Sequence, residues 1–249
     1  MADDVVRHYD NLLAEHYTWM FGDSFADKVA EQRALLESLL GAADGPRRLA
    51  LDLGCGPGFQ SLALVGLGFL HVLAVDTSRA LLAELGAHSA GQPIEPIEAD
   101  LTQLSQLASP GSADLIVCMG DTLTHLSSSA EVTALLRDAF AALTAGGQLI
   151  LTFRDLSNAL TGLDRFLPIR ADETRVMTCV LEYEPDTVLV HDLIHVREAG
   201  GWSFHKSSYR KLRLAPEWVA TALRDAGFEI AHSAPAGRLW ALVATKPSA

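Results

Sequence analysis

From residue 48 onward, apolar β-type runs alternate with helix-type segments, and this alternation restricts the chain to very few folds. The runs RLALDL, HVLAVD, PIEPIEAD, ADLIVCM and QLILTFRD are separated by GFQSLALVGLG, SRALLAELGAHS, the short TQLSQLA and the amphipathic SAEVTALLRDAFAALTAGG. Strands bounded by helices are joined by crossovers and therefore run parallel, which predicts a doubly wound α/β sheet. LIVCM and LILTF are apolar on both faces, as strands covered by helices on both sides require.

The flanks read differently. Residues 3–41 predict two helices, VVRHYDNLLAEHYTWM and ADKVAEQRALLESLL, with Ser24 or Asp23 as the cap of the second, and we expect them to cover one edge of the sheet mouth. Residues 174–214 show period-two patterning in TRVMTCVLEYE, TVLVHDLIHVRE and WSFHKSSYRKLRL, linked by the turn signals EPD and AGG. That is an inserted antiparallel meander. A helix, PEWVATALRDAG, and two strands, FEIAHSAP and RLWALVATK, close the chain. No internal repeat or low-complexity tract marks a linker. The expectation is a single domain over 1–249, with a helical cap (1–45), a core (46–155), an insertion (156–214) and a closing helix and strands (215–249).

Composition sets outer limits. Of 249 residues 49% are hydrophobic and 20% charged, which argues against disorder. A net charge of -12 opposes attachment to nucleic acid or anionic lipid. Cys55, Cys118 and Cys179 form no CxxC spacing and fit a reducing compartment, and the charged MADDVVRHYD is no signal peptide, so the expected location is cytoplasmic. Leu53 to Val75 holds 23 residues without Asp, Glu, Lys or Arg, long enough for a bilayer. Its first third, LGCGPGFQ, would leave backbone groups unpaired in lipid, so no membrane span is expected.

The strongest chemical signal is Asp52-Leu53-Gly54-Cys55-Gly56-Pro57-Gly58, where the first strand runs into a helix. Alternating glycines let the backbone turn sharply and approach a ligand, with the helix N-terminus facing the same space. A dinucleotide fingerprint would be G-x-G-x-x-G, and here the last glycine comes one position early. Asp52 beside the loop disfavours a pyrophosphate and suits a ligand with positive charge. Asp76, 24 residues on, ends the second strand, where a carboxylate accepts ribose hydroxyls, and Asp100 with the Leu101 backbone follows the third.

Together LALDLGCGPG, AVD and EADL resemble the S-adenosylmethionine site of class I methyltransferases. Residues 114–155 are similar to glycine N-methyltransferase and its small-molecule relatives, particularly in Gly120-Asp121-Thr122-Leu123-Thr124-His125-Leu126 and Arg154, as is Tyr209 within SSYRKLRL. The resemblance implies a Rossmann-like, mostly parallel seven-stranded sheet with N-terminal helices and an inserted antiparallel β meander. It implies S-adenosylmethionine as cofactor, held by Tyr9 (with Tyr17 in reserve), Asp52, Gly54, Cys55, Gly56, Gly58, Asp76, Thr77, Asp100, Leu101, Met119 and Gly120. It implies a small-molecule acceptor met by Asp121, His125, Arg154 and Tyr209, most readily an amine or amino-acid-like compound.

Several assignments stay open on the residues themselves. Arg154 suits a substrate carboxylate and equally an ion pair with Asp155 or Asp121. Asp121 stands where the glycine enzyme carries an amide; it can attract an amine or repel an acid, which puts glycine as the acceptor in doubt. His125 is a base or a structural hydrogen-bonding group, and Tyr209 shares a strand face with His205, opposite Trp202, Phe204 and Lys206. His191 and His195 lack a third ligand spaced nearby, so no metal is expected. An O- or C-methyltransferase using Asp121 or His125 as base, a non-catalytic cofactor sensor and an NAD-dependent oxidoreductase are the rival readings. A homo-oligomer is compatible with the amphipathic N-terminal helices.

Overall fold

The computed structural model describes residues 3–22, 24–41 and 47–248. Five parallel strands form the core: β1 (Leu49–Leu53), β2 (His71–Asp76), β3 (Ile94–Glu98), β4 (Ala113–Cys118) and β5 (Leu143–Phe153). After β3 the chain crosses to the opposite side of β1 to lay down β4 and then β5, so the order reverses between β1 and β4. Such a switch point leaves a crevice outside the carboxyl ends of the strands. The closing strands β10 (Glu229–Ala236) and β11 (Leu239–Thr245) complete the order β10-β11-β5-β4-β1-β2-β3, with β11 alone reversed.

Both faces of the sheet are covered. Ala50, Val72, Leu115 and Val117 pack under α3 (Phe25–Leu40) and α4 (Phe59–Gly66), while Leu85 of α5 (Arg79–His88) meets Ala74. Leu51, Leu53, Ile116 and Cys118 face α6 (Leu104–Leu107), α7 (Ser129–Ala142) and α8 (Pro216–Asp225). This explains why LIVCM, largely in β4, and LILTF in β5 read as apolar on both faces. The outer strand β3 carries Glu95, Pro96 and Glu98 on an exposed edge, a composition that discourages pairing with another chain. Gly146 and Gly147 lie inside β5, where the ladder is irregular and Gly146 adopts φ +77.

The insertion is a second sheet of four strands, β6 (Phe166–Ala171), β7 (Arg175–Tyr183), β8 (Thr187–Glu198) and β9 (Gly201–Leu212), all antiparallel. The sequence pattern gives three of them. It misses β6 because Pro168 and a bulge between Pro168 and Arg170 break the alternation, as an outer strand tolerates.

The N-terminal segment joins the two sheets. α1 (Asp3–His8), a π-helical turn (Tyr9–Leu13) and α2 (Ala14–Met20) form one stretch, whose Val5, Leu12 and Leu13 pack against Cys179, Val190, Met177 and Ile194 of the second sheet. α1 and α2 thus cover the mouth as expected, whereas α3 lies on the core face beside α4. Ser24 caps α3 by accepting the Asp27 amide at 3.1 Å, and Asp23 lies outside the described residues. Among the described residues no helix is long and apolar enough to cross a membrane.

Candidate functional site

The glycine loop emerges from β1 because three positive-φ residues, Gly54, Gly56 and Gly58, fold it back over the end of β2. The amides of Gly54 and Cys55 both donate to Val75 O, at 2.8 and 3.0 Å. The three glycines have different reasons to be there. A Cβ on Gly54 would lie 2.3 Å from Thr122, and one on Gly58 would lie 2.1 Å from Leu85, so both are demanded by packing. At Gly56 the nearest atom would be Tyr17 Cε1 at 3.5 Å, an ordinary contact, so here the backbone conformation at φ +55 rather than packing favours glycine.

Two carboxylates stand behind the loop. Asp52 is 1% exposed and accepts Ser61 Oγ at 2.6 Å; burial, reinforced by the charge of Asp76, pushes its pKa up to about 7 despite that hydrogen bond. Asp76 accepts the amides of Gly56 and Ser78, each at 2.8 Å, and burial still raises it above the usual carboxylate range. Asp100 accepts the Thr102 amide at 2.9 Å at the head of the short turn Leu101–Gln103, and the Leu101 side chain is core.

In front of the loop lies a cavity of about 780 Å³, lined by Gly54, Cys55, Met119 and Gly120, by Tyr9 and Tyr17 of the N-terminal segment, and by Met177, Cys179, Asp192 and Tyr209 of the second sheet. Asp121, His125 and Arg154 line it as well. The expected cofactor residues therefore divide into two groups. Tyr9, Gly54, Cys55, Met119 and Gly120 meet at the cavity, while Asp52, Gly56, Gly58, Asp76, Thr77, Asp100 and Leu101 are absent from its lining. The Tyr17 ring sits over Gly56, beside the loop, and burial holds its phenol well above the ordinary value.

A charge cluster forms the polar wall. Asp121 is the one non-glycine residue at positive φ, +86, among the described residues, and it is 4% exposed. Its Oδ1 accepts the Arg154 amide at 2.9 Å, and its Oδ2 lies 2.5 Å from Lys211 Nζ and 3.3 Å from Arg154 Nε. Burial would raise its pKa, but the Lys211 ammonium and Arg154 guanidinium outweigh burial and hold it low. The alternatives for Arg154 are thereby ordered: it pairs with Asp121, while Asp155 instead accepts the amide and hydroxyl of Ser157. Its side chain keeps 41% exposure, so the pair does not exhaust it.

Lys211 is absent from the sequence reading, although the signal was there. It stands two residues past Tyr209, so period-two spacing puts both on one face of β9. His205 shares that parity but lies beyond the covered part of the sheet, exposed and 3.0 Å from Ser203 Oγ. His125 is 5% exposed, its Nε2 has no partner, and burial together with Lys211 lowers its pKa to about 3. His191 faces Glu182 at 3.5 Å and His195 stacks on Phe204 at 4.6 Å.

The donor set fits an adenosyl sulfonium. A loop without a side chain at Gly56, buried carboxylates behind it, and a large, partly aromatic cavity suit a cation with an apolar nucleoside, and the volume is within the roughly 300–1,000 Å³ of small-molecule sites. Residues 50–147 match the family described as Methyltransferase domain. The chain is 30% identical over 156 residues, 59% of its length, to a glycine/sarcosine N-methyltransferase of Halorhodospira halochloris, and it spans 58% of that relative. Its structure superposes on the CcbJ methyltransferase of Streptomyces caelestis with a TM-score of 0.77 at 20% identity, covering 97% of this chain and 98% of that one. S-adenosylmethionine-bound CalS10 from Micromonospora echinaspora, an amino pentose methyltransferase, gives 0.73 at 19% identity over 94% and 96%. Residues 50–147 thus match a methyltransferase domain, and the chain as a whole shares the fold of these methyltransferase structures.

Proposed function

We propose that the chain transfers a methyl group from S-adenosylmethionine to a small-molecule amine or amino-acid-like acceptor. The observation that carries this reading is the cavity itself, which joins the glycine loop to a polar wall where Asp121 and His125, the two expected bases, are both held low. The cofactor supplies a methyl group on a positively charged sulfur. The chain's own residues orient the partners and keep water out: Gly54, Met119 and Gly120 flank the donor end, Tyr9 and Tyr17 cover it, and the second sheet closes the acceptor end.

The choice of amine rests on proton chemistry. An alcohol or phenol must lose its proton to a base whose pKa lies near the working pH. Asp121 is held low by Lys211 and Arg154, and His125 sits at about 3, so neither meets that need. An alkylamine is largely an ammonium at neutral pH, but its minor neutral form carries the lone pair that attacks as the methyl–sulfur bond breaks, and the methylated ammonium leaves with no base needed in the cavity. Calorimetry with S-adenosylhomocysteine tests the cofactor, and transfer of radiolabelled methyl to a panel of amines, phenols and carboxylates tests the acceptor. Labelled amines are the expected result; label only in phenols, or no cofactor binding at millimolar ligand, would overturn it.

A further inference from the structure

The second sheet closes the cavity with an apolar wall built from Met177, Leu181, Val190 and Tyr209, and one carboxylate interrupts it. Asp192 lies in the middle of β8, in register with Cys179 on one side and Ser207 on the other. It is 3% exposed, lines the cavity and has His8 Nε2 at 2.9 Å from its Oδ2, with the Cys179 thiol as a second neighbour. His8 is 1% exposed and stacks on Tyr209 at 4.3 Å, and its Nδ1 has no hydrogen-bond partner among the described residues.

This pair is poorly explained as a stabilising device. Replacing a buried ion pair by apolar side chains is often neutral or favourable, and an unpartnered buried nitrogen adds a further cost. The surrounding wall is already apolar, so a leucine or valine at 192 would continue it. A carboxylate has acceptor capacity for about four hydrogen bonds. His8 and Cys179 use part of it, and the rest is presented at a wall of the cavity.

We propose that Asp192 selects the acceptor: its carboxylate receives the N–H groups of an amine carried on an apolar, ring-sized body that packs on the second sheet. His8 is a positioning residue that fixes the carboxylate from behind. This rests on the methyl-transfer reading above and narrows it to amines of one shape.

The test is calorimetric binding of 2-phenylethylamine, 2-phenylethanol and phenylacetate to protein saturated with S-adenosylhomocysteine. The amine, an ammonium at neutral pH, should bind at least tenfold tighter than the alcohol, which offers the carboxylate one O–H and no charge, and the acid weakest, because its own carboxylate is repelled. Asp192→Asn should erase the amine preference while keeping the melting temperature and the affinity for S-adenosylhomocysteine, and His8→Gln should reduce it. A wild type without amine preference, or an Asp192→Asn variant that keeps it, overturns the proposal, and the wild-type comparison decides even where a variant fails to fold. Failure of S-adenosylhomocysteine to bind would instead strike at the methyl-transfer reading, so the two are distinguishable.

Discussion

Buried titratable groups around the cavity pull stability in opposite directions with pH. Asp52 is driven up to about 7 from 3.8, so the folded state keeps its proton where the unfolded chain has lost it, and stability falls as pH rises from about 4 to 7. His125 is driven down to about 3 from 6.5, so the unfolded chain takes up a proton that the folded state refuses, and stability rises over about pH 3 to 6.5. Each separation corresponds to roughly a few kcal/mol, and over their shared range the two oppose each other. Urea unfolding across pH 4 to 8 should therefore expose one slope when the other group is removed: rising with pH in Asp52→Asn, falling in His125→Gln. Unchanged profiles in both would refute the argument. Asp121 belongs to the depressed class, with its contribution present above about pH 4 and lost in stronger acid. Asp121→Ala leaves Lys211 without its carboxylate and should cost about 3–5 kcal/mol, with part recovered in the Asp121→Ala/Lys211→Met double variant, as a double-mutant cycle would measure. The Asp121–Arg154 pair was among the readings of the sequence, whereas the Lys211 contact was not, because Asp121 and Lys211 lie 90 residues apart and only the fold over of β9 brings them together.

At the scale of elements, the loop after β1 shows what a motif conveys and what it conceals. The spacing of Gly54, Gly56 and Gly58 announces a turn into a helix, yet two of the three glycines answer to Thr122 and Leu85, which the motif does not contain. Gly58→Ala should therefore destabilise the fold, since φ +95 and a 2.1 Å approach to Leu85 act together. Gly56→Ala at φ +55 should cost only about 1 kcal/mol and keep the fold, while its methyl group presses on the Tyr17 ring, which lines the cavity, and weakens S-adenosylhomocysteine binding. Chemical unfolding and calorimetry on the two variants separate the roles, and equal loss of stability in both would refute the division. The N-terminal segment is fastened to the second sheet by a similar local device. Trp19 lies between Arg170 and Arg175, at 5.2 and 5.6 Å, with its indole N–H on Asp172 at 2.5 Å. Trp19→Ala should lower stability by about 1–3 kcal/mol and speed hydrogen exchange in α1, α2 and the β6–β7 turn more than in β1 or β4.

For the molecule as a whole, the core was readable because the central strands β4 and β5 carry runs that are apolar on both faces, and the crossovers show helical spacing. The second sheet was readable only where alternation survived, and β6 was lost to Pro168. The contents of the cavity were hardest to foresee, since Tyr9, His125, Asp192 and Lys211 come from four separate elements and converge only after the two sheets are joined. That convergence has a measurable consequence. A ligand seated between the glycine loop and the second sheet touches both bodies, so binding must stabilise the folded chain against global unfolding rather than one part of it. At a hundredfold excess over its dissociation constant a ligand adds about 2.7 kcal/mol. For a chain of this length each kcal/mol moves Tm by about 2–4 °C, so S-adenosylhomocysteine should raise a single thermal transition by about 5–10 °C. NADH should leave it in place, because the loop lacks the third fingerprint glycine at the spacing a pyrophosphate needs. Gly56→Ala should shrink the shift at the same ligand concentration. A rise with NADH, or two transitions of which only one responds to S-adenosylhomocysteine, would show that the ligand does not bridge the sheets.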